Sequence, residues 1–169
     1  MLKKIFYFFL VFIVLLAVIY FLGPRPNYPD LDLTIEPSAL EIHEIEKFLA
    51  NREANIPNLK PDNESRIIWA DSTQSKTPYA IVYLHGFSAS PMESNPVHIS
   101  FAQKYGMNML IPRLAQHGIK DSTIFADLTP KMLIDDAKEA IALGQKIGEK
   151  VILMSCSTGS TLALSLIHI

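Results

Sequence analysis

Ile5 to Leu22, IFYFFLVFIVLLAVIYFL, is an uncharged run of eighteen residues with no polar face. As a helix it would extend roughly 27 Å at about 1.5 Å per residue, close to the hydrocarbon thickness of a bilayer. Without a polar face it does not suit a helix packed at the edge of a soluble core. A cleaved signal peptide is the rival reading, and two features oppose it. The apolar run is long, and FLGPRPNYP has no small-x-small cleavage site. The run is read as a transmembrane signal anchor over residues 1–22. The pattern then changes at once: Gly23 to Leu33, GPRPNYPDLDL, carries three prolines and two aspartates and predicts an extended spacer.

Beyond the spacer, periodicities of helix and strand alternate. Ser38 to about Arg52 predicts a helix, with Ser38 as cap, Glu41 completing a capping box, and Leu40, Ile45, Phe48 and Leu49 on one face. A loop rich in Asn and Pro, Asn55 to Asn63, follows. RIIWA, Arg66 to Ala70, predicts a short strand. YAIVYL, Tyr79 to Leu84, is a continuous β-prone run, the mark of a strand covered on both faces. Pro96 to Tyr105 predicts a helix and Met107 to Ile111 a further buried strand. From Thr129 to about Ile147 the signal is strong: Thr129 as N-cap, Pro130 at the first helical position, and Met132, Leu133, Ala137, Ala140 and Ile141 apolar. Val151 to Met154 reads as the last strand, and Gly159 onward as another helix. Alternating strands and helices predict an α/β fold with a mostly parallel sheet and flanking helices.

Composition changes this picture little. Fifteen Lys and Arg against seventeen Asp and Glu leave a formal net charge of -2, with no basic cluster, so no nucleic-acid partner is expected. A single cysteine, Cys156, excludes an internal disulfide. HEIE, His43 to Glu46, is not the H-E-x-x-H zinc pattern, and no glycine-rich phosphate loop is present, so neither metal nor cofactor is expected.

The chemistry lies in SCSTG, Ser155 to Gly159, where a strand runs into a helix across a tight turn. Such a turn lifts one side chain, Ser157, clear of the sheet. Its neighbours two places either side, Ser155 and Gly159, must be small because strand and helix backbones approach closely there. The pattern is a G-x-S-x-G nucleophile elbow with its first glycine replaced. A plain N-cap role for Ser157 is the competing reading. A second element sharpens the choice: YLHGFSAS, Tyr83 to Ser90, leaves a buried strand through His85-Gly86. Gly86 permits a turn after which the Phe87 amide can face a developing oxyanion, and the Thr158 amide would supply a second donor. Of the remaining polar residues, His85 and His117 are read as structural hydrogen-bonders and Cys156 as a packed thiol. Glu93 and Asp121 are read as loop charges that could edge a pocket.

On LHGFSAS, on PRLAQHG at Pro112 to Gly118 with Gln116 where the pattern has glycine, and on SCSTG, the chain resembles the N-terminal half of an α/β-hydrolase. It is most similar to bacterial esterase, lysophospholipase and monoacylglycerol-lipase types. The likeness covers roughly residues 66–163, preceded by a spacer and helix over 23–65. It implies a partial α/β-hydrolase fold behind one transmembrane helix. It also implies a serine ester hydrolase, with Ser157 as acyl-forming nucleophile and Phe87 and Thr158 giving the oxyanion amides. The substrate expected is a small-molecule or lipid ester, and no cofactor is implied. A thioesterase or peptidase of the same fold, or a non-catalytic binding module on a hydrolase-derived scaffold, are the alternatives. Lys3 and Lys4 favour a cytoplasmic N-terminus, with the membrane-tethered domain on the extracytoplasmic side. Oligomeric state is left open.

In this fold the triad histidine and acid follow the serine. Only His168 follows Ser157, about three helical turns on, so the triad acid and histidine are expected to be absent from the chain and this form inactive. LSLIHI, Leu164 to Ile169, is what CTGTCTCTTATACACATC encodes, a transposon end used in sequencing-library preparation. These six residues are expected to be non-native.

Overall fold

The YAIVYL run lies between two parallel strand partners, as a strand covered on both faces should. The computed structural model describes residues 2–25 and 29–167. The chain divides into two compact units, Met1–Asp30 and Leu31–Ile169. The first holds α1, Leu2–Leu22, a helix whose side chains are all exposed. Its 21 residues are long and apolar enough to cross a membrane.

In the second unit, α2 (Ile45–Ala54) follows a short 3-10 turn at Ile42–Glu44. Then come β1 (Arg66–Ile68), β2 (Thr77–Leu84), α3 (Val97–Lys104) and β3 (Asn108–Ile111). A second 3-10 turn, Ile124–Asp127, leads to α4 (Pro130–Ile147), β4 (Gly148–Ser155) and α5 (Thr158–Leu166). The strands form one sheet in the order β1-β3-β2-β4. β2 pairs parallel with β3, Ile81 opposite Met109, and parallel with β4, Leu84 opposite Ser155. β1 runs antiparallel to β3, so the sheet is mixed and mostly parallel.

Alternate residues of β2 serve two cores, as the two-residue period of a strand requires. Ala80, Val82 and Leu84 pack with Ala137 and Ile141 of α4, Leu162 of α5 and Leu49 of α2. Ile81 and Tyr83 pack on the other face with Met109, Ile111 and Ala102 of α3. Helices therefore cover both faces, which accounts for the uninterrupted apolar character of YAIVYL.

Three local expectations are corrected. The helix expected from Ser38 starts later. Ser38 Oγ accepts from the Leu40 amide in a local turn, and the reciprocal box shifts to Glu41, whose amide donates to Glu44 Oε2 at 2.9 Å. The strand expected at Val151 begins at Gly148, because α4 passes into β4 with no loop between them. The extended spacer ends sooner than Leu33: Leu31, Leu33 and Ile35 pack against the core. Lys138 of α4 fixes this segment, its Nζ lying 2.9 Å from both the carbonyl and a carboxylate oxygen of Asp32.

Candidate active site

The C-terminal ends of β2 and β4 are neighbours, joined through the Leu84–Ser155 register, and pairing runs on to Cys156, whose amide donates to the Leu84 carbonyl at 3.1 Å. The connections leaving them diverge. That after β2 leads to α3 on one face; that after β4 leads into α5 on the other. In open α/β sheets such a divergence opens a crevice beyond the strand ends, where ligands bind.

Ser157 stands at that point with φ 47° and ψ −114°, a combination that side-chain-bearing residues rarely adopt. It occupies the N-cap position of α5 yet makes no side-chain capping bond, and its side chain is exposed. Thr129 shows what a cap does here, since its Oγ1 accepts from the Met132 amide at 3.3 Å. The N-cap reading of Ser157 therefore fails, and the hydroxyl is left for other use. The size rule at the flanking positions is visible. A Cβ on Gly159 would lie 2.0 Å from the Leu84 carbonyl oxygen, so helix and strand close on each other only without one. Ser155 is tolerated because it lies in β4 itself, its Oγ donating to Ser160 Oγ at 3.1 Å.

The loop after β2 meets the elbow. A Cβ on Gly86 would lie 3.4 Å from Ser157 Cβ and 3.0 Å from Glu93 Oε1. Among the described residues neither the Phe87 amide nor the Thr158 amide donates to a protein acceptor; that of Thr158 is in the first turn of α5, where helical geometry leaves it unpaired. Glu93, read from the sequence as a loop charge, also ties this loop down. It accepts from the Gly86 amide at 2.8 Å and from the Tyr83 hydroxyl at 3.0 Å. Its charge pushes the Cys156 thiol up from its ordinary value, assisted by desolvation, in keeping with a packed and unreactive cysteine.

His85 is fully buried and both ring nitrogens are engaged. Nε2 accepts from the Leu114 amide at 3.1 Å, so Nδ1 carries the proton and faces the Gly86 carbonyl at 2.9 Å. Burial pulls its pKa down to about 4, and the ring is neutral near pH 7. His117 is buried too, lowered by desolvation, with Nδ1 on the Ala115 carbonyl at 2.7 Å. Both behave as structural residues. His168 lies outside the described residues.

Behind them runs a buried polar chain that the sequence did not disclose. Glu53 of α2 pairs with Arg113 at 2.7 Å, and Ser65 Oγ donates to Glu53 while accepting from the Arg113 amide at 2.8 Å. Arg113 precedes Leu114, which holds His85, which holds Gly86. Glu53 and Arg113 are sixty residues apart and no local signal joins them.

Two cavities adjoin the β2 loop. A polar one of about 590 Å³ is edged by Glu93 and Asp121, with Lys60 and Gln116. An apolar groove of about 340 Å³ is lined by Phe87, Thr158, Leu31, Leu133, Ile134 and Leu162. A larger hollow of about 650 Å³ between α2 and β1 touches none of Ser157, Phe87 or Thr158. The sequence missed Leu31 as a groove residue, although the alternation of Leu31, Leu33 and Ile35 with Asp32 and Thr34 was a signal for a strap lying on the core. Set against known proteins, the chain matches no family model and no curated protein.

Proposed function

We propose that this protein is a membrane-tethered serine hydrolase of the α/β-hydrolase type, cleaving carboxylic or lipid esters through an acyl-Ser157 intermediate. The observation that carries the reading is Ser157 itself: strained at φ 47°, uncapped, exposed, and set against Gly86 at the diverging ends of β2 and β4. Strain of this kind persists where the surrounding fold enforces it, and it clusters at functional sites. Strand order supports the same reading, with β2 and β4 adjacent and parallel at the sheet's centre and edge.

In the proposed reaction Ser157 Oγ attacks the ester carbonyl carbon and its proton passes to a histidine. The carbonyl oxygen becomes an oxyanion that the amides of Phe87 and Thr158 would receive, each donor being worth about 3 kcal/mol in such sites. Collapse breaks the bond to the alcohol, which leaves with that proton. Water then releases the acyl group by the reverse pattern of proton movements. His85 does not serve as the acceptor, both its nitrogens being engaged. The reading takes its histidine and acid from the loops of later strands, as the resemblance implies. α1 is proposed as the anchor, with Lys3 and Lys4 on the cytoplasmic side and the hydrolase unit opposite.

The test is covalent. Protein expressed from its own gene and kept in its membrane is expected to react with a fluorophosphonate at Ser157, and Ser157→Ala to abolish the adduct. Adduct formation that survives Ser157→Ala overturns the assignment.

A further inference from the structure

Two peptide planes meet at Gly86, and each is held by a side chain. The plane after Gly86 is trans, so its carbonyl points one way and the Phe87 amide the other. His85 Nδ1–H reaches that carbonyl at 2.9 Å, and the Ala89 amide reaches it at 3.2 Å. The plane before Gly86 is held separately, the Gly86 amide donating to Glu93 Oε2 at 2.8 Å. With both planes fixed, the direction of the Phe87 N–H is fixed too, although no described residue accepts from it.

The placement of Glu93 is itself built. Ser90 sets the turn that presents it, its carbonyl accepting from the Glu93 amide at 3.0 Å and its hydroxyl from the Met92 amide at 3.2 Å. The Tyr83 hydroxyl donates to the same Oε2 at 3.0 Å and lies 2.6 Å from Ser94 Oγ. An ionised carboxylate only accepts, so the single phenol proton goes to Glu93 and Ser94 donates to the phenol. Desolvation pushes that phenol up to about 12, and the proton stays in place near pH 7.

The carboxylate also lies close to the candidate nucleophile. Glu93 Oε1 and Ser157 Cβ are 3.0 and 3.4 Å from one point, where a Cβ on Gly86 would stand. A negative charge at that range opposes an oxyanion, so what Glu93 offers the chemistry is geometry and not charge.

We infer that Glu93 is a positioning residue of the proposed hydrolase, fixing Gly86 so that the Phe87 amide faces the oxyanion formed beside Ser157. This deepens the hydrolase reading and rests on it for the chemistry. Tyr83 acts one step behind, through Glu93.

The experiment follows phosphonylation by a fluorophosphonate in protein expressed from its own gene and kept in its membrane. Ser157 Oγ bonds to phosphorus, its proton passes to the base, and fluoride leaves. The phosphonyl oxygen takes the place of the ester's carbonyl oxygen and needs the same donors. Time courses at several probe concentrations separate KI from kinact. Glu93→Ala is expected to lower kinact by about 10- to 100-fold with KI unchanged, up to the lower end of what loss of a whole oxyanion donor costs. Glu93 is exposed, so shortening it opens no cavity in the core, and an unchanged KI reports an intact site in the same assay. Glu93→Met, similar in size but with no oxygen to accept the Gly86 amide, should match Glu93→Ala and stands in for it if that variant does not fold. Glu93→Gln keeps an acceptor and loses the charge, so its kinact should stay within about threefold of the parent or exceed it. Parental kinact in Glu93→Ala or Glu93→Met overturns the inference and leaves the hydrolase standing. Glu93→Gln as slow as Glu93→Ala overturns it too, because charge and not position would then be at work. A parent protein that does not react at Ser157 retires the hydrolase reading and this inference with it.

Discussion

At Ser157 the backbone holds φ 47° and ψ −114°, which for a residue with a side chain costs about 1–3 kcal/mol. The β2–β4 pairing before it and the close seat of Gly159 after it leave no room to relax. Glycine would remove most of that cost while adding about 0.5–1 kcal/mol of unfolded-chain entropy. Ser157→Gly is therefore expected to stabilise the protein by about 1 kcal/mol, and Ser157→Ala, which keeps the Cβ, to leave stability nearly unchanged. Urea midpoints of the detergent-solubilised variants decide this, and a glycine variant no more stable than the alanine variant would show the strain to be absent. The tight strand-to-helix turn was legible from SCSTG because its demand for a small residue at Gly159 is written in residue size. The strain at Gln116, φ 63°, was legible only as a departure: PRLAQHG places glutamine where the resembling pattern has glycine, and the backbone keeps the left-handed turn regardless.

Among the elements, what the sequence shows depends on how local the cause is. The start of α4 was readable to the residue because Thr129 and Pro130 mark it, and Ala137, Ala140 and Ile141 of its apolar stripe do face the core. β1 was readable as a strand but not as antiparallel, since three residues with the pattern Arg-Ile-Ile carry no direction. The link from α2 to the site was invisible, because a Glu53–Arg113 pair is defined only by folding. That link is where an element-scale prediction belongs. Both side chains are almost wholly buried, at 4% and 7% exposure, and Ser65 shares their network. Removing one member leaves an uncompensated buried charge, at a cost of about 3–5 kcal/mol. Glu53→Ala is expected to destabilise by about that much. Because Arg113 leads through Leu114 and His85 to Gly86, it should also loosen the loop beside Ser157. Hydrogen exchange should show the Leu114 amide losing protection in Glu53→Gln, a milder variant that still folds; protection unchanged there would break the proposed line of support.

For the molecule as a whole, two buried groups pull its acid stability in opposite directions. His85 titrates at about 4 in the fold against 6.5 when free, chiefly through desolvation. Below pH 6.5 the unfolded chain therefore takes a proton that the folded chain refuses. Its contribution is complete above pH 6.5 and is lost as pH falls towards 4. Asp136, in α4, accepts from the Ala115 amide at 2.5 Å, and desolvation pushes its pKa up to about 6 from 3.8. Glu139 acts in the same sense, while Arg52 and Arg113 oppose it. Here the folded state holds the proton more tightly, so the penalty for burying the carboxylate is complete above pH 6 and relieved as pH falls towards 3.8. Each effect is worth on the order of 3 kcal/mol, and their windows overlap, so they largely cancel between pH 4 and 6. Asp136→Asn keeps an acceptor for the Ala115 amide and removes only the titration. The variant should be more stable than the parent at pH 7 by on the order of 2 kcal/mol, and should lose stability more steeply between pH 6.5 and 4.5 because His85 then acts unopposed. Urea midpoints at those pH values measure both effects. Parallel pH profiles for parent and variant would mean that Asp136 is not the counterweight, and that the carboxylate beside Ala115 is ionised at little cost.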